Sequence, residues 1–199
     1  MWPRSICGRV AAESVHMHRK ILIGLGLVGA QATIVFMMGQ PVVCECGSVK
    51  LWEGVVLGPG NSQHVSDWYT PSHIIHGILF YLLLRYALPK SSVPTRLLLA
   101  VGIEASWEIF ENTPLIIDRY REQALALGYM GDSILNSVSD TIAMIAGFML
   151  ASKARVAIAV LLVIALEAFV GYMIRDNLTL NIVQLLMPID SIAEWQAGN

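Results

Sequence analysis

The sequence predicts an all-α polytopic membrane bundle of about five spans, with the N-terminus inside, the C-terminus outside and an interfacial C-terminal helix. Three observations lead there. The chain is 55% hydrophobic and only 14% charged, with a mean hydropathy of +0.60, whereas a soluble domain carries about 25% charged residues. Five stretches approach the ~20 apolar residues needed to cross a bilayer. The basic residues are also unevenly shared between the segments joining those stretches. Exposing so much apolar surface to water is unfavourable, so lipid is the expected solvent.

Residues 1–20 form a polar, basic segment, with Arg4, Arg9, Arg19 and Lys20 against the single acid Glu13. The first span follows at 21–38. It leaves through Met38-Gly39-Gln40-Pro41 rather than an A-x-A-like site, and is read as uncleaved. An outer loop covers 39–70, rich in glycine and aromatic residues. The second span, 71–88, opens with proline after threonine, a helix-start signal. The third is 97–112. Within the outer loop 113–131, Leu115, Ile116, Tyr120, Ala124 and Leu127 are spaced as one face of a surface helix. Spans four and five are 132–152 and 156–174. In 177–195, Leu178, Ile182, Leu185, Leu186, Ile189 and Ile192 share a face that Pro188 interrupts, the pattern of a helix lying on the membrane. Residues 21–199 read as one transmembrane domain.

Orientation follows the positive-inside rule. Arg4, Arg9, Arg19, Lys20, Arg85, Lys90, Arg96, Lys153 and Arg155 are nine of the thirteen basic residues and fall on one side, with only Glu13 among fifteen acids. That places the chain in a bacterial inner membrane, taking a bacterial source as given. No basic patch interleaved with aromatics points to nucleic acid, and membrane lipid is the expected partner. No phosphate-binding glycine loop, Gly-x-Ser-x-Gly elbow or His-Glu-x-x-His is present.

An ionisable side chain at mid-membrane costs roughly 2.5–3.5 kcal/mol on insertion scales, so several together call for a reason. His73 and His76 stand at i and i+3 on span two. Glu104, Glu108 and Glu111 stand at i, i+4 and i+7 on span three, a single stripe. Asp132, Asn136 and Asp140 stripe span four, and Glu167 lies in span five, with Arg175 beyond its outer end. At a rise of about 1.5 Å per residue, His76, Glu108 and Asn136 sit some 6–8 Å below the outer surface, and Glu104, Asp140 and Glu167 some 10–13 Å. All belong to the outer half.

Such a set implies an outward-facing polar cavity. Its catalytic candidates are His76, Glu104, Glu108 and Asp140, since crowded carboxylates and imidazoles suit acid–base chemistry. Its metal candidates are His73, His76, Glu108, Glu111 and Asp132, because imidazole and carboxylate together suit zinc or a similar divalent metal. His64, Asn136, Glu167 and Arg175 are supporting candidates, with His64 and Asp67 placed to cap the cavity. Polar residues can equally serve as hydrogen-bonding glue between helices. Cys44 and Cys46 admit three readings: a redox pair, a thiolate metal site or free thiols. Cys7 is expected on the inner side.

Three functions remain open on these residues: a cation-binding protein or metal-assisted enzyme acting on a lipid or envelope substrate, a small proton-coupled carrier, and a non-catalytic assembly factor. Whether the chain is an enzyme is not decided by the sequence.

Cys44-Glu45-Cys46-Gly47, Lys50-Leu51-Trp52, Asn61-Ser62-Gln63-His64, Asp67-Trp68-Tyr69-Thr70-Pro71-Ser72-His73, Trp107-Glu108-x-x-Glu111-Asn112 and Gly131-Asp132-Ser133 together resemble an uncharacterised proteobacterial integral-membrane family, a domain of unknown function. Asn136-Ser137-x-x-Asp140-Thr141, Arg175-Asp176-Asn177-Leu178 and Ala193-Glu194-Trp195-Gln196 carry the resemblance onward, so it covers the chain from about Gln40. It implies a membrane location and orientation and supplies no activity. A looser similarity joins His76, Glu108 and Asp132/Asn136 to VanZ-like membrane proteins, and implies that these positions form one site.

Overall fold

The computed structural model describes residues 4–123, 125–126 and 128–198, with side chains from residue 14 onward. Eight α-helices and no strand occur among the described residues: α1 (Arg4–Met37), α2 (Thr70–Ala87), α3 (Val93–Glu111), α4 (Pro114–Arg121), α5 (Ile134–Lys153), α6 (Val156–Ile174), α7 (Leu178–Leu186) and α8 (Asp190–Ala197). Within α1 the stretch Ser14–Met37, together with α5 and α6, is long and apolar enough to cross a membrane. The helices α2 and α3 run 18 and 19 residues, but their His and Glu side chains make them less apolar.

Local chemistry sets the boundaries. Proline occupies the first turn of α2, α3 and α4, where its missing N–H costs no intrahelical bond. Ser133 and Asn177 cap α5 and α7, their side chains accepting from the Asn136 and Leu180 N–H groups. Pro188 divides the expected helix over 177–195 into α7 and α8. From Arg4 the polar N-terminal segment is helical and runs into the first span without a break, since after Gly8 it holds no proline or other stop signal. The side chains before residue 14, and with them Cys7, lie outside what the structure describes.

Two contacts define the bundle. The helices α2 and α5 cross at Gly77 and Gly147. A Cβ on Gly77 would collide with the Met144 carbonyl and the Phe148 N–H, and one on Gly147 with the Ile74 carbonyl. Only glycine allows the two backbones to touch this closely. The helix α1 is fastened to α5 by buried Gln31, whose Nε2 donates to the Ser137 carbonyl (3.0 Å) and Oγ (2.8 Å) while its Oε1 accepts from Thr141 Oγ1 (2.9 Å).

The apolar core occupies one half of the bundle. Ile78, Tyr81, Leu84, Ala100, Val101, Met144, Phe148 and Ala151 pack there, with Tyr81 edge-on to Phe148 at 5.2 Å. The other half is polar, being made by the start of α2, the end of α3 and the start of α5. Facing outward, α1 and α6 present Leu22, Leu25, Leu161 and Ile164, the apolar exterior a bilayer would cover.

The loop over 39–70 is stitched to the N-terminus of α5. Free N–H groups in a helix's first turn need acceptors. Here the Ile134 N–H donates to the Pro41 carbonyl (2.9 Å), the Leu135 N–H to the Val42 carbonyl (3.1 Å), and the Ser133 N–H to the Ser62 carbonyl (2.9 Å). Asn136 Nδ2 adds a bond to the His64 carbonyl at 3.0 Å. Gly131, at φ +93°, turns the chain into α5 where a side chain would meet Asn112 and Gln40.

Along the expected face of loop 113–131, Ile116 and Tyr120 are buried, as the spacing requires, but Leu115 is exposed and Ile117 takes its place inside. Ala124 and Leu127 lie outside the described residues. The helix α4 ends at Arg121.

Candidate functional site

The polar half of the bundle encloses a cavity of about 510 Å³. Its floor comes from the stripes read in the sequence. From α2, His73 Nδ1 lies 2.7 Å from Glu104 Oε1 and 3.3 Å from Glu108 Oε1 on α3. Its Nε2 lies 3.8 Å from Asp140 Oδ2 on α5. One turn along α2, His76 Nδ1 lies 3.1 Å from Glu104 Oε2. Thr70 Oγ1 donates to Asp140 Oδ1 at 3.3 Å. Glu104 and Glu108 are almost wholly buried, and Glu108 Oε1 has no hydrogen-bond partner.

At the rim, Asp132 is held by two neutral donors. Asn112 Nδ2 donates to its Oδ2 (2.8 Å) and the Tyr129 hydroxyl to its Oδ1 (2.7 Å), while the Asp132 N–H donates to Asn112 Oδ1 (2.8 Å). Glu111 lines the same space.

Two triads in this space could hold a cation. The donor atoms of His73, His76 and Glu104 lie within 4.8 Å of one another, as do those of Glu108, Glu111 and Asp132. A metal with donors at about 2.0–2.2 Å gathers such a set through small side-chain shifts. No lysine or arginine stands among the described lining residues.

The walls are apolar. Phe80 and Trp107 rise from α2 and α3, and Ile182, Leu185 and Leu186 descend from α7. His76 stacks on Phe80 with ring centroids 5.7 Å apart and meets Trp107 edge-on at 6.4 Å. Thus the apolar face of 177–195 faces the cavity along α7. The Tyr120 hydroxyl, donating to Asn181 Oδ1 (3.1 Å), and Arg119 Nε, donating to the Leu185 carbonyl (3.0 Å), tie α7 to α4.

Of the residues singled out in the sequence, His73, His76, Glu111, Asp132 and Asp140 therefore line one space, with Glu104 and Glu108 buried directly behind His73. Four do not join them. Glu167 turns to the N-terminus of α7, its carboxylate accepting from the Leu178 and Thr179 N–H groups, both at 3.0 Å; negative charge is favourable there. Arg175 donates to the Trp195 carbonyl at 3.0 Å. Asn136 is spent on the loop. His64 is buried beneath that loop, with the Lys50 N–H donating to its Nδ1 (3.3 Å) and its Nε2 lying 3.5 Å from Glu53 Oε2. Cys44 and Cys46 are joined as a disulfide.

Outside the helices, charged groups respond to their surroundings. The hydrogen bond from Lys50, together with the Val55 N–H, holds the Glu53 carboxyl below the usual range. Burial raises Asp67, against the opposing pull of the Tyr69 and Ser62 N–H groups. Burial also lifts Asp176 to about 6. Asp176 Oδ2 accepts from the Tyr69 hydroxyl (3.1 Å), and its Oδ1 from the Asn177 N–H (2.9 Å) and Gln196 Nε2 (3.1 Å).

Sequence reasoning missed Asn112, Tyr129 and the inner face of α7 as parts of the site. Asn112 did carry a signal, since it follows Glu111 directly in the Trp107–Asn112 motif.

Comparison with known proteins gives the family. Residues 35–198 match the family described as protein of unknown function (DUF2585). The chain belongs to this family. A UPF0314 protein of Sinorhizobium fredii is 58% identical over 174 residues, covering 87% of this chain and 88% of the relative. UPF0314 proteins of Sphingopyxis alaskensis and Brucella anthropi are 51% and 48% identical over 177 residues, each covering 89% of this chain, and 94% and 90% of the relatives. No solved structure matches.

Proposed function

We propose that this DUF2585 member is a multi-pass inner-membrane protein whose outward-facing cavity binds a divalent cation and acts with it on a lipid or envelope substrate. In this reading α1, α2, α3, α5 and α6 span the bilayer, with the N-terminus inside. Arg85, Lys90, Arg96, Lys153 and Arg155 lie at or between helix ends away from the cavity, and Lys20, within α1, reaches Ser92 and Thr95 at the same end, which supports that orientation.

One observation carries the cation reading: Glu111, Asp132, Asp140 and two imidazoles line a single cavity with no lysine or arginine among its described lining residues, and buried Glu104 and Glu108 stand directly behind His73. Buried charge that is unpaired is costly. A divalent cation would neutralise it, and His73, His76 and Glu104 offer the nitrogen–oxygen donor set that zinc and similar metals take. Bound there, a metal supplies Lewis acidity toward a carbonyl or phosphoryl oxygen. Asp140, held by Thr70 and facing His73, is placed to accept a proton from a water or hydroxyl in the cavity. Apolar walls above a polar floor suit a molecule with a hydrocarbon chain and a polar head.

The test is metal analysis of the full chain purified in detergent, alongside His76→Ala and Glu104→Gln. Bound divalent metal that each substitution lowers at least tenfold is the expected result. A metal-free wild type whose thermal stability ignores both substitutions and added metal overturns the proposal.

A further inference from the structure

We infer that the cavity holds two cations of different chemical class: one of zinc type at His73, His76 and Glu104, and a hard, oxygen-loving one at Glu108, Glu111 and Asp132. This rests on the cation reading above and divides it into two sites.

The stripe on α3 places Glu104 in one triad and Glu108 and Glu111 in the other. The triads adjoin where His73 Nδ1 and Glu108 Oε1 stand 3.3 Å apart. Their donors differ. Two imidazoles with one carboxylate favour zinc or a neighbouring transition metal, whereas three carboxylates favour magnesium, calcium or manganese.

Two features of the second triad set it apart from an ordinary acidic cluster. Glu108 is 1% exposed, and its Oε1 is buried without any hydrogen-bond partner. An acceptor left in that state costs roughly 1–3 kcal/mol, and it lies at the junction of the triads, where a cation would satisfy it. Asp132 is fixed by Asn112 and Tyr129, which orient its carboxylate without neutralising it. Such outer partners are how proteins aim metal-binding side chains.

Charge distinguishes one ion from two. Glu104, Glu108, Glu111, Asp132 and Asp140 bring five negative charges when ionised, and neutral imidazoles bring none. One divalent ion leaves a net of −3 in a space without lysine or arginine among its described lining residues. Two leave −1, a residue that the Thr70 hydroxyl beside Asp140 can help to bear.

The experiment strips the detergent-purified full chain with chelator, reloads it with zinc and manganese together, and counts each metal after gel filtration. Manganese is followed in addition by its electron paramagnetic resonance signal. Wild type is expected to hold one zinc and one manganese. Glu111→Gln, a near-isosteric change, should weaken manganese at least tenfold and keep zinc; His76→Ala should do the reverse. Retained manganese in His76→Ala shows that a lost zinc is not a lost fold. A single metal abolished by both substitutions overturns the two-site inference and leaves the cation reading standing. Two zinc ions with no manganese overturn the assignment of class. Failure of both metals to bind overturns both proposals.

Discussion

Asp176 should make stability fall as pH rises, with an amplitude that follows from its surroundings. It joins the end of α6 to Tyr69 at the start of α2 and to Gln196 on α8. Burial lifts its carboxyl to about 6, against 3.8 for the free side chain. The native state thus holds this proton more tightly than the unfolded chain does. Its stabilising effect is full below pH 3.8, fades between 3.8 and 6, and is gone above 6. A difference of about 2.2 units at 1.36 kcal/mol per unit gives about 3 kcal/mol. Asp176→Asn removes the titration yet keeps the contacts: its Oδ1 still accepts from the Asn177 N–H and Gln196, and its amide donates to the Tyr69 hydroxyl. Thermal melts of purified wild type and variant, read by tryptophan fluorescence from pH 4 to 7.5, should converge at the acid end. They should separate toward neutrality with the variant ahead, by some 6–12 °C at about 2–4 °C per kcal/mol for a chain of this size. Parallel curves across the whole range would refute the assignment of the proton to Asp176.

Two further outcomes test the packing around the cavity. Gly77→Ala drives a methyl group into the α5 backbone and should destabilise by at least the ~1–3 kcal/mol usual for overpacking, seen as a lower melting temperature; an unchanged melt would show that α2 and α5 do not cross there. Glu167→Ala strips the acceptors from the N-terminus of α7 and should cost ~1 kcal/mol, with faster proteolysis between Arg175 and Pro188 as the readout; unaltered cleavage would remove Glu167 from that role.

The helical character was legible because the proline starts and apolar stretches are local signals. So was the site's membership on α2, α3 and α5. Glu104, Glu108 and Glu111 share a face by spacing alone, and a face with three acids has few tolerable neighbours besides others of its kind. Glu167 was not legible: α6 is apolar all round, so its sequence carries no phase to say which way a single acid points. The Gly77–Gly147 crossing needs both helices at once, and neither glycine differs locally from Gly102, where a Cβ would meet only a leucine methyl. Besides the local Ser133 cap, the acceptors at the start of α5 come from Pro41, Val42 and Ser62, far away in sequence. No spacing rule reaches that distance. The spacing marks one face of α7 as apolar without showing that it lines the cavity, since amphipathicity shows that a face must be covered without showing by what.

The position of the cavity bears on which kind of function it serves. A carrier needs a site reachable from both sides in turn, with polar groups continuing beyond it. Directly beneath His73 and His76 lie Ile78, Tyr81, Met144 and Phe148, none more than 5% exposed, and the α2–α5 contact there is backbone against backbone. Opening a path would separate helices already at their closest approach and expose the most tightly packed residues of the bundle. By contrast, the roof is light. The nine-residue α7 is held by Tyr120, Arg119 and the Glu167 cap, and it supplies apolar side chains rather than charge. Access from the α7 side therefore disturbs far less packing than passage through the floor, and a one-sided pocket suits a bound cation meeting an amphiphile better than it suits transport.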